Sequence, residues 1–134
     1  MLHPFFIHVN QSIMTTTELA TALDSFKPFY TIHQYRSIGE SHLYLSDGCQ
    51  YLLIYSNVSW LFDIIFDFLQ QSKWHPLNYT TWTLERQSCG LLDLRGEALF
   101  GILLYEQYDI DQPFPLDEFT LFNSWWKVFL PSEV

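Results

Sequence analysis

The sequence predicts an α+β fold, in which one twisted antiparallel sheet carries two helices packed on one face. Two segments with helical periodicity lie in the first half of the chain, whereas short β-forming runs fill the second half. Helices and strands that are segregated along the sequence are typical of the α+β class. The connections between the strand candidates are short, which favours antiparallel neighbours.

The length of 134 residues corresponds to one domain. We assign residues 14–134 to this domain. Met14 directly precedes a polar helix start, so we expect residues 1–13 to be an N-terminal extension or arm.

The first predicted helix begins at a capping box, because Thr15 and Glu18 have the spacing at which both side chains satisfy free backbone N–H groups. Pro28 predicts its end near Lys27. The residues between these two signals place an apolar stripe at helical spacing: Leu19, Ala22, Leu23 and Phe26.

The next signal is Asp47-Gly48, which lies between two β-forming runs and predicts a tight β-hairpin. Its strands would be residues 43–45 and 51–55. Residues 29–36 fit either a short strand or an ordered crossing, and residues 37–41 read as a loop.

A second helix is predicted over residues 58–72. Its polar residues cluster on one side, and its apolar residues spread over an arc of about 240°, wider than the stripe of an ordinary surface helix. Either this helix packs on several sides, or part of its surface is kept for a partner.

Pro76 lies in a predicted connection over residues 73–79, and β-signals dominate beyond it. Turns are predicted at residues 88–90 and 95–97, and a proline-containing loop over residues 106–116. The strand candidates are residues 81–85, 91–94, 99–105, 118–122 and 125–130, with the last two joined at Asn123-Ser124.

The chain is acidic, with 6 Lys and Arg against 15 Asp and Glu and a net charge of −9. This charge disfavours binding to nucleic acid or to an anionic membrane, since both require a basic footprint. No apolar run approaches the ~18 residues of a membrane-spanning helix. We expect a cytoplasmic protein with reduced thiols at Cys49 and Cys89, although a disulfide between them stays open.

Asp63 and Asp67 lie one helical turn apart and form the best-placed carboxylate pair. They could bind a divalent cation or act as an acid–base pair, but a hard metal needs further oxygen ligands. The histidines and cysteines lack the spacing of zinc ligands, so we expect no cofactor. A solvent-exposed polar face is the simpler interpretation of the pair.

A partner-binding surface is predicted from two groups of residues. The densest acidic patch surrounds two prolines, and adjacent tryptophans in a strand point to opposite faces, so that one of them lies outside the core. Exposed aromatic residues often mark interfaces. The predicted surface comprises Trp125, Trp126, Tyr105, Tyr108, Asp109, Asp111, Asp117 and Glu118.

Four strings of this sequence resemble a family of small bacterial and bacteriophage proteins of unknown function. They are TELATALDSF, LYLSDGCQYL, WLFDIIFDFLQ and FTLFNSWWKVFLPSE, and together they cover about residues 15–133. The resemblance implies a cytoplasmic protein and supplies no catalytic residues.

Two functional hypotheses follow. The first is a non-enzymatic interaction protein that forms a homodimer or binds a partner protein, for example a basic protein that handles nucleic acid. The alternative is a small metal-dependent hydrolase that uses Asp63 and Asp67 with a histidine such as His42 or His75. We identify no small-molecule substrate in the sequence.

Overall fold

The structure is a computed structural model that describes residues 14–71 and 79–134. The predicted arm at residues 1–13 and most of the predicted connection at residues 73–79 lie outside these ranges. The described residues form an α+β fold with three α-helices and one seven-stranded sheet. The helices are α1 (Thr16–Asp24), α2 (Asp47–Tyr55) and α3 (Ser59–Gln71). The strands are β1 (Ile32–Ile38), β2 (Ser41–Ser46), β3 (Thr80–Arg86), β4 (Leu92–Glu97), β5 (Leu103–Ile110), β6 (Glu118–Ser124) and β7 (Lys127–Phe129).

The sheet has the strand order β1-β2-β7-β6-β3-β4-β5. The prediction of a purely antiparallel sheet is wrong, because β2 and β7 run parallel, with Tyr44 opposite Lys127 and Leu45 opposite Val128. The prediction of two helices is also wrong for the described residues, since α2 forms where the sequence predicted a strand.

The start of α1 confirms the predicted capping box. The Thr15 hydroxyl accepts a hydrogen bond from the Glu18 backbone N–H at 3.0 Å, and the Thr15 N–H donates to the Glu18 carboxylate at 3.2 Å. The helix ends at Asp24, before the predicted stop, and buries Leu19 and Leu23 in the core.

Asp47-Gly48 is not a hairpin turn but the first turn of α2. The Ser46 hydroxyl caps this helix by accepting from the Cys49 N–H at 3.2 Å. The carboxylate of Glu133 accepts from the Ser46 hydroxyl at 2.5 Å and from the Gly48 N–H at 3.0 Å. Two of the strings that carry the family resemblance therefore meet at this helix N-terminus.

The hairpin of this region lies one strand earlier, where Gly39 and Glu40 connect β1 to β2. Gly39 has a positive φ of 59°, which a residue without a Cβ adopts readily. Residues 29–36, which were ambiguous in sequence, thus supply most of β1. A bulge at Tyr35 directs both Tyr35 and Arg36 toward α3, because an extra residue in one strand shifts the alternation of faces.

Four further assignments differ from the prediction. Residues 95–97, predicted as a turn, complete β4, and residues 106–110, predicted as a loop, complete β5. The predicted strand at residues 99–105 begins instead with a short 3-10 turn over Leu99–Gly101. Trp125 and Trp126 form the turn between β6 and β7 rather than the start of a strand.

One hydrophobic core lies between the helices and one face of the sheet. The predicted second helix is confirmed as α3, which buries one side against the sheet: Leu61, Phe62, Ile65, Phe66 and Leu69. The strands bury alternate residues on the facing side, as a half-buried sheet requires: Leu43, Leu45, Trp82, Leu84, Leu92, Leu94, Leu121 and Val128. The opposite side of the sheet is here called the open face, and no described helix packs on it.

Candidate functional site

The open face carries a regular grid of side chains, because residues paired in register across neighbouring strands share a face. Threonines occupy its middle, with Thr81 opposite Phe122 and Thr83 opposite Thr120. Arg95 lies opposite both Thr83 and Glu106. The face is therefore polar at its centre, in contrast to the apolar side that the helices cover.

An acidic row crosses three adjacent strands at one end of this grid. Glu85 on β3 lies directly opposite Glu118 on β6 and directly opposite Asp93 on β4. Like charges in directly opposite positions destabilise a sheet. The two glutamates are exposed and Asp93 is half-buried. Residues 79–124 contain eight acidic and two basic residues, so this part of the chain carries −6 of the net charge of −9.

An aromatic cluster lies on the same open face, near β6 and β7. Phe129 stacks on Tyr30 with ring centroids 6.0 Å apart and contacts Phe122 at 5.9 Å. Tyr79 lies 5.4 Å from Phe122. Burial raises the pKa of Tyr79. None of these four residues was among the predicted site residues, since they come from four separate segments of the sequence.

The four aromatic residues of the predicted partner-binding surface lie in different places in the structure. Trp126 is half-buried and packs against Phe66 of the core, with ring centroids 6.2 Å apart, while Trp125 is exposed in the β6–β7 turn. Tyr105 lies on the helix side, where burial and then the nearby Asp67 carboxylate raise its pKa. Tyr108 lies on the open face, and a hydrogen bond to Glu106 raises the pKa of its phenol.

The four acidic residues of the predicted surface also have different surroundings. Glu118 belongs to the acidic row. Asp117 accepts a hydrogen bond from Arg86 Nε at 3.0 Å. Asp109 accepts from the Gln87 amide at 3.1 Å and has a positive φ of 57°, while Asp111 is exposed beside a cleft near Tyr55.

Arg86 binds the loop between β5 and β6 through several hydrogen bonds. Besides binding Asp117, its guanidinium donates to the carbonyl oxygens of Gly90 at 2.9 Å, Phe114 at 2.6 Å and Leu116 at 3.2 Å. Arg86 therefore pairs with Asp117 and with backbone carbonyl oxygens rather than with a carboxylate of the acidic row.

Asp63 and Asp67 face a cation rather than further oxygen ligands. Arg36 approaches Asp63 at 3.3 Å and Asp67 at 3.7 Å, and the Tyr35 hydroxyl donates to Asp63 at 2.9 Å. Burial and this hydrogen bond raise the pKa of Tyr35. No group of three or more His, Cys, Asp or Glu residues suited to a metal ion occurs among the described residues.

The histidine partners proposed for that pair receive no support from contacts. His42 Nδ1 hydrogen-bonds the Ser37 hydroxyl at 2.6 Å, and His75 lies outside the described residues.

Cys49 is buried in α2, which raises the pKa of its thiol, whereas Cys89 is exposed in the β3–β4 turn. Both described cysteines are free thiols.

A carboxylate–histidine contact that the sequence analysis missed links β1 to α2. Asp47 Oδ1 lies 2.7 Å from His33 Nε2 and accepts from the Thr31 hydroxyl at 2.6 Å. The pKa of Asp47 is lowered, first by the Thr31 bond and then by the His33 bond. The contact is half-exposed and brings together residues that are 14 and 16 positions apart.

Because the pKa of Asp47 is lower in the folded chain than in the unfolded one, this group stabilises the fold above about pH 4. That contribution is lost as the pH falls through the folded-state pKa. We expect Asp47→Asn to lower the melting temperature at pH 7, and we expect its difference from the parent chain to shrink as the pH falls through the folded-state pKa of Asp47. Glu40→Gln, at an exposed turn position, is the control. If Asp47→Asn lowered the melting temperature by the same amount at low pH as at pH 7, the Asp47 charge would not be the cause.

A comparison with protein families gives one match. The model described as "Family of unknown function (DUF6876)" matches residues 17–134. The chain belongs to this family. The match spans α1 to the Pro131–Glu133 turn, which agrees with the extent of the resemblance seen in the sequence, and its description assigns no activity. Searches of curated proteins and of solved structures gave no match for this DUF6876 chain.

Among the described residues, no helix has the length and apolar character needed to cross a membrane.

Proposed function

We propose that this chain is a non-enzymatic binding protein whose open face engages a basic segment of a partner protein. The observation that carries the proposal is the acidic row, in which Glu85 lies in register between Glu118 and Asp93 on adjacent strands. The Asp93 carboxylate also accepts hydrogen bonds from the Gln87 amide and from the Asp109 N–H at 3.3 Å, whereas both glutamates are exposed. Such a row opposes folding. A cationic partner would relieve the repulsion on binding, so the arrangement has a physical rationale in a complex.

The neighbouring residues suit the same purpose. Thr83 and Thr120 offer hydroxyls beside the row, and Tyr108 adds a large exposed ring. The aromatic cluster of Tyr30, Tyr79, Phe122 and Phe129 supplies apolar contact area on the same face. Electrostatic complementarity of this kind mainly gives specificity and a high association rate.

Nucleic-acid-binding proteins are the partner class that we favour, because their phosphate-binding surfaces are basic. A cytoplasmic location and a bacterial or bacteriophage origin are predictions that accompany this proposal. The metal-dependent hydrolase has weaker support, because Arg36 and Tyr35 already contact the Asp63 carboxylate.

The test uses a fluorescein-labelled synthetic peptide with lysine at alternate positions, and a matched peptide with glutamate in place of lysine. We expect the lysine peptide to bind and the glutamate peptide not to bind, by fluorescence anisotropy. Glu85→Gln/Glu118→Gln should weaken binding at least about tenfold, equivalent to about 1.4 kcal/mol. The same variant should be more stable by roughly 0.5 kcal/mol, because a repulsive pair is removed.

The matched control is Asp24→Asn/Glu40→Gln, which removes two exposed charges outside the open face. It should leave the affinity nearly unchanged. Equal weakening by both double variants would show that only the net charge attracts the peptide, and absence of binding at low salt would refute the proposal.

A further inference from the structure

The turn between β4 and β5 is the most exposed apolar segment of the described chain. Four of its residues keep about half or more of their accessible surface: Leu99 64%, Phe100 99%, Ile102 54% and Leu103 49%. Scattered exposed apolar residues are ordinary, but a contiguous run is typical of an interaction site. Phe29 and Trp125 are also exposed, but each stands outside such a run.

The backbone of this turn is unfavourable for the residue at its tip. Phe100 has φ 64° and ψ 21°, and Gly101 follows with φ 75°. Two consecutive residues with positive φ form a turn that favours Asn-Gly, because a bulky side chain is strained in the left-handed region. The Phe100 ring is almost fully exposed, so no intramolecular packing offsets this strain.

A groove lies beside the turn, between α3 and β5. Its volume is about 440 Å³, and it is lined by Ile64, Asp67, Phe68, Gln71 and Tyr105. The Tyr105 ring forms one wall of the groove, and it meets the Phe68 ring edge-on with centroids 6.0 Å apart. Tyr105 follows Leu103 by two positions, so the exposed turn and the groove share one edge of the molecule.

We propose that the Leu99–Leu103 turn of one copy inserts Phe100 into this groove of a second copy. Because the turn and the groove lie on the same edge, two copies related by a two-fold axis can each insert the turn into the groove of the other. This inference does not depend on the proposed function, since it concerns the β5 edge and not the acidic row.

The charge distribution favours a second copy as the occupant. Residues 98–105 contain no charged side chain in a chain of net charge −9, so the inserted turn brings no second carboxylate to Asp67 in the groove. The four exposed side chains present on the order of 500 Å² of apolar surface, against about 800 Å² per partner in a standard stable interface. We therefore expect a weak dimer with a micromolar dissociation constant.

Sedimentation equilibrium of the full chain from low micromolar to millimolar concentration tests the proposal. Phe100→Asn should raise the dissociation constant at least about tenfold. It should also raise the melting temperature by about 3 °C, because asparagine tolerates positive φ. Loss of assembly together with gain of stability is a result that a purely structural role for Phe100 would not give.

A second variant changes a residue of the groove instead of the turn. Gln71→Glu places a charge on the exposed groove rim and should also weaken the dimer while leaving the fold intact. Trp125→Asn, at another exposed aromatic residue with positive φ, should leave the dissociation constant unchanged. Salt should strengthen the dimer by screening the repulsion between two acidic chains, whereas it should weaken binding of the lysine peptide.

Three outcomes would overturn the proposal. A chain that stays monomeric at millimolar concentration in both low and high salt excludes the dimer. A dimer that Phe100→Asn leaves intact excludes this turn as its contact. Co-sedimentation of a monomeric chain with neutral phosphatidylcholine vesicles, lost in Phe100→Asn, would assign the turn to a lipid surface instead.

Discussion

Replacing Glu133 with alanine should lower the free energy of unfolding by about 3 kcal/mol, because three donors would lose their acceptor in the protein interior. Glu133 is 3% exposed. Its carboxylate accepts from the Ser46 hydroxyl at 2.5 Å, the Gly48 N–H at 3.0 Å and the Leu130 N–H at 2.8 Å. A negative charge at the first turn of α2 is also favourable to the helix dipole.

Urea denaturation followed by tryptophan fluorescence would measure this effect. Glu133→Gln should be affected less than Glu133→Ala, since the amide oxygen still accepts hydrogen bonds. Val134→Ala, at an exposed neighbouring position, is the control and should be close to neutral. An alanine variant within about 0.5 kcal/mol of the parent chain, the range of ordinary surface substitutions, would contradict the assigned capping role.

Replacing Gly96 with alanine should destabilise the fold by about 2 kcal/mol, as expected for overpacking of a core. A Cβ at this position would lie 2.9 Å from Trp82 Cζ3 and 3.1 Å from both Cε3 and Cη2. The Trp82 ring is 1% exposed, and its Nε1–H donates to Asn123 Oδ1 at 2.6 Å, so it has little freedom to move. The gain of about 0.5–1 kcal/mol for alanine over glycine within a strand does not offset the clash.

A double-mutant cycle tests that explanation directly. In a Trp82→Phe background the smaller ring leaves space, so Gly96→Ala should cost distinctly less there than in the parent chain. A coupling energy near zero between the two positions would mean that the clash with Trp82 is not the cause.

Local patterns in the sequence were sufficient for two of the helices. The capping box of Thr15 and Glu18 and the apolar periodicity of residues 58–72 act within one turn or one helix face, and both were predicted correctly. Asp47-Gly48 was misread because its local signal favours a hairpin. Ser46 and the distant Glu133 instead provide the acceptors that a helix N-terminus requires.

Features that depend on register could not be predicted in the same way. The acidic row exists only because β3 lies between β4 and β6, and Glu85, Asp93 and Glu118 are too far apart in sequence to suggest one another. Only Glu118 was predicted as a site residue. The tryptophan pair was expected to place one ring in the core and the other on the far face of a strand, but Trp125 and Trp126 form a turn, in which Trp126 is half-buried and Trp125 is exposed.

The contacts that close the fold also constrain how it can be made during synthesis on the ribosome. The Ser46 hydroxyl donates to Glu133, which lies 87 positions further along the chain. Strand β2 likewise pairs with β7, which is the last strand of the sheet to be synthesised. Contacts of such large sequence separation slow folding. The first half of the polypeptide therefore leaves the ribosome before the Gly48 N–H has its Glu133 acceptor and before β2 has its neighbour β7. A fragment that ends before β7 should be a target for proteases and chaperones.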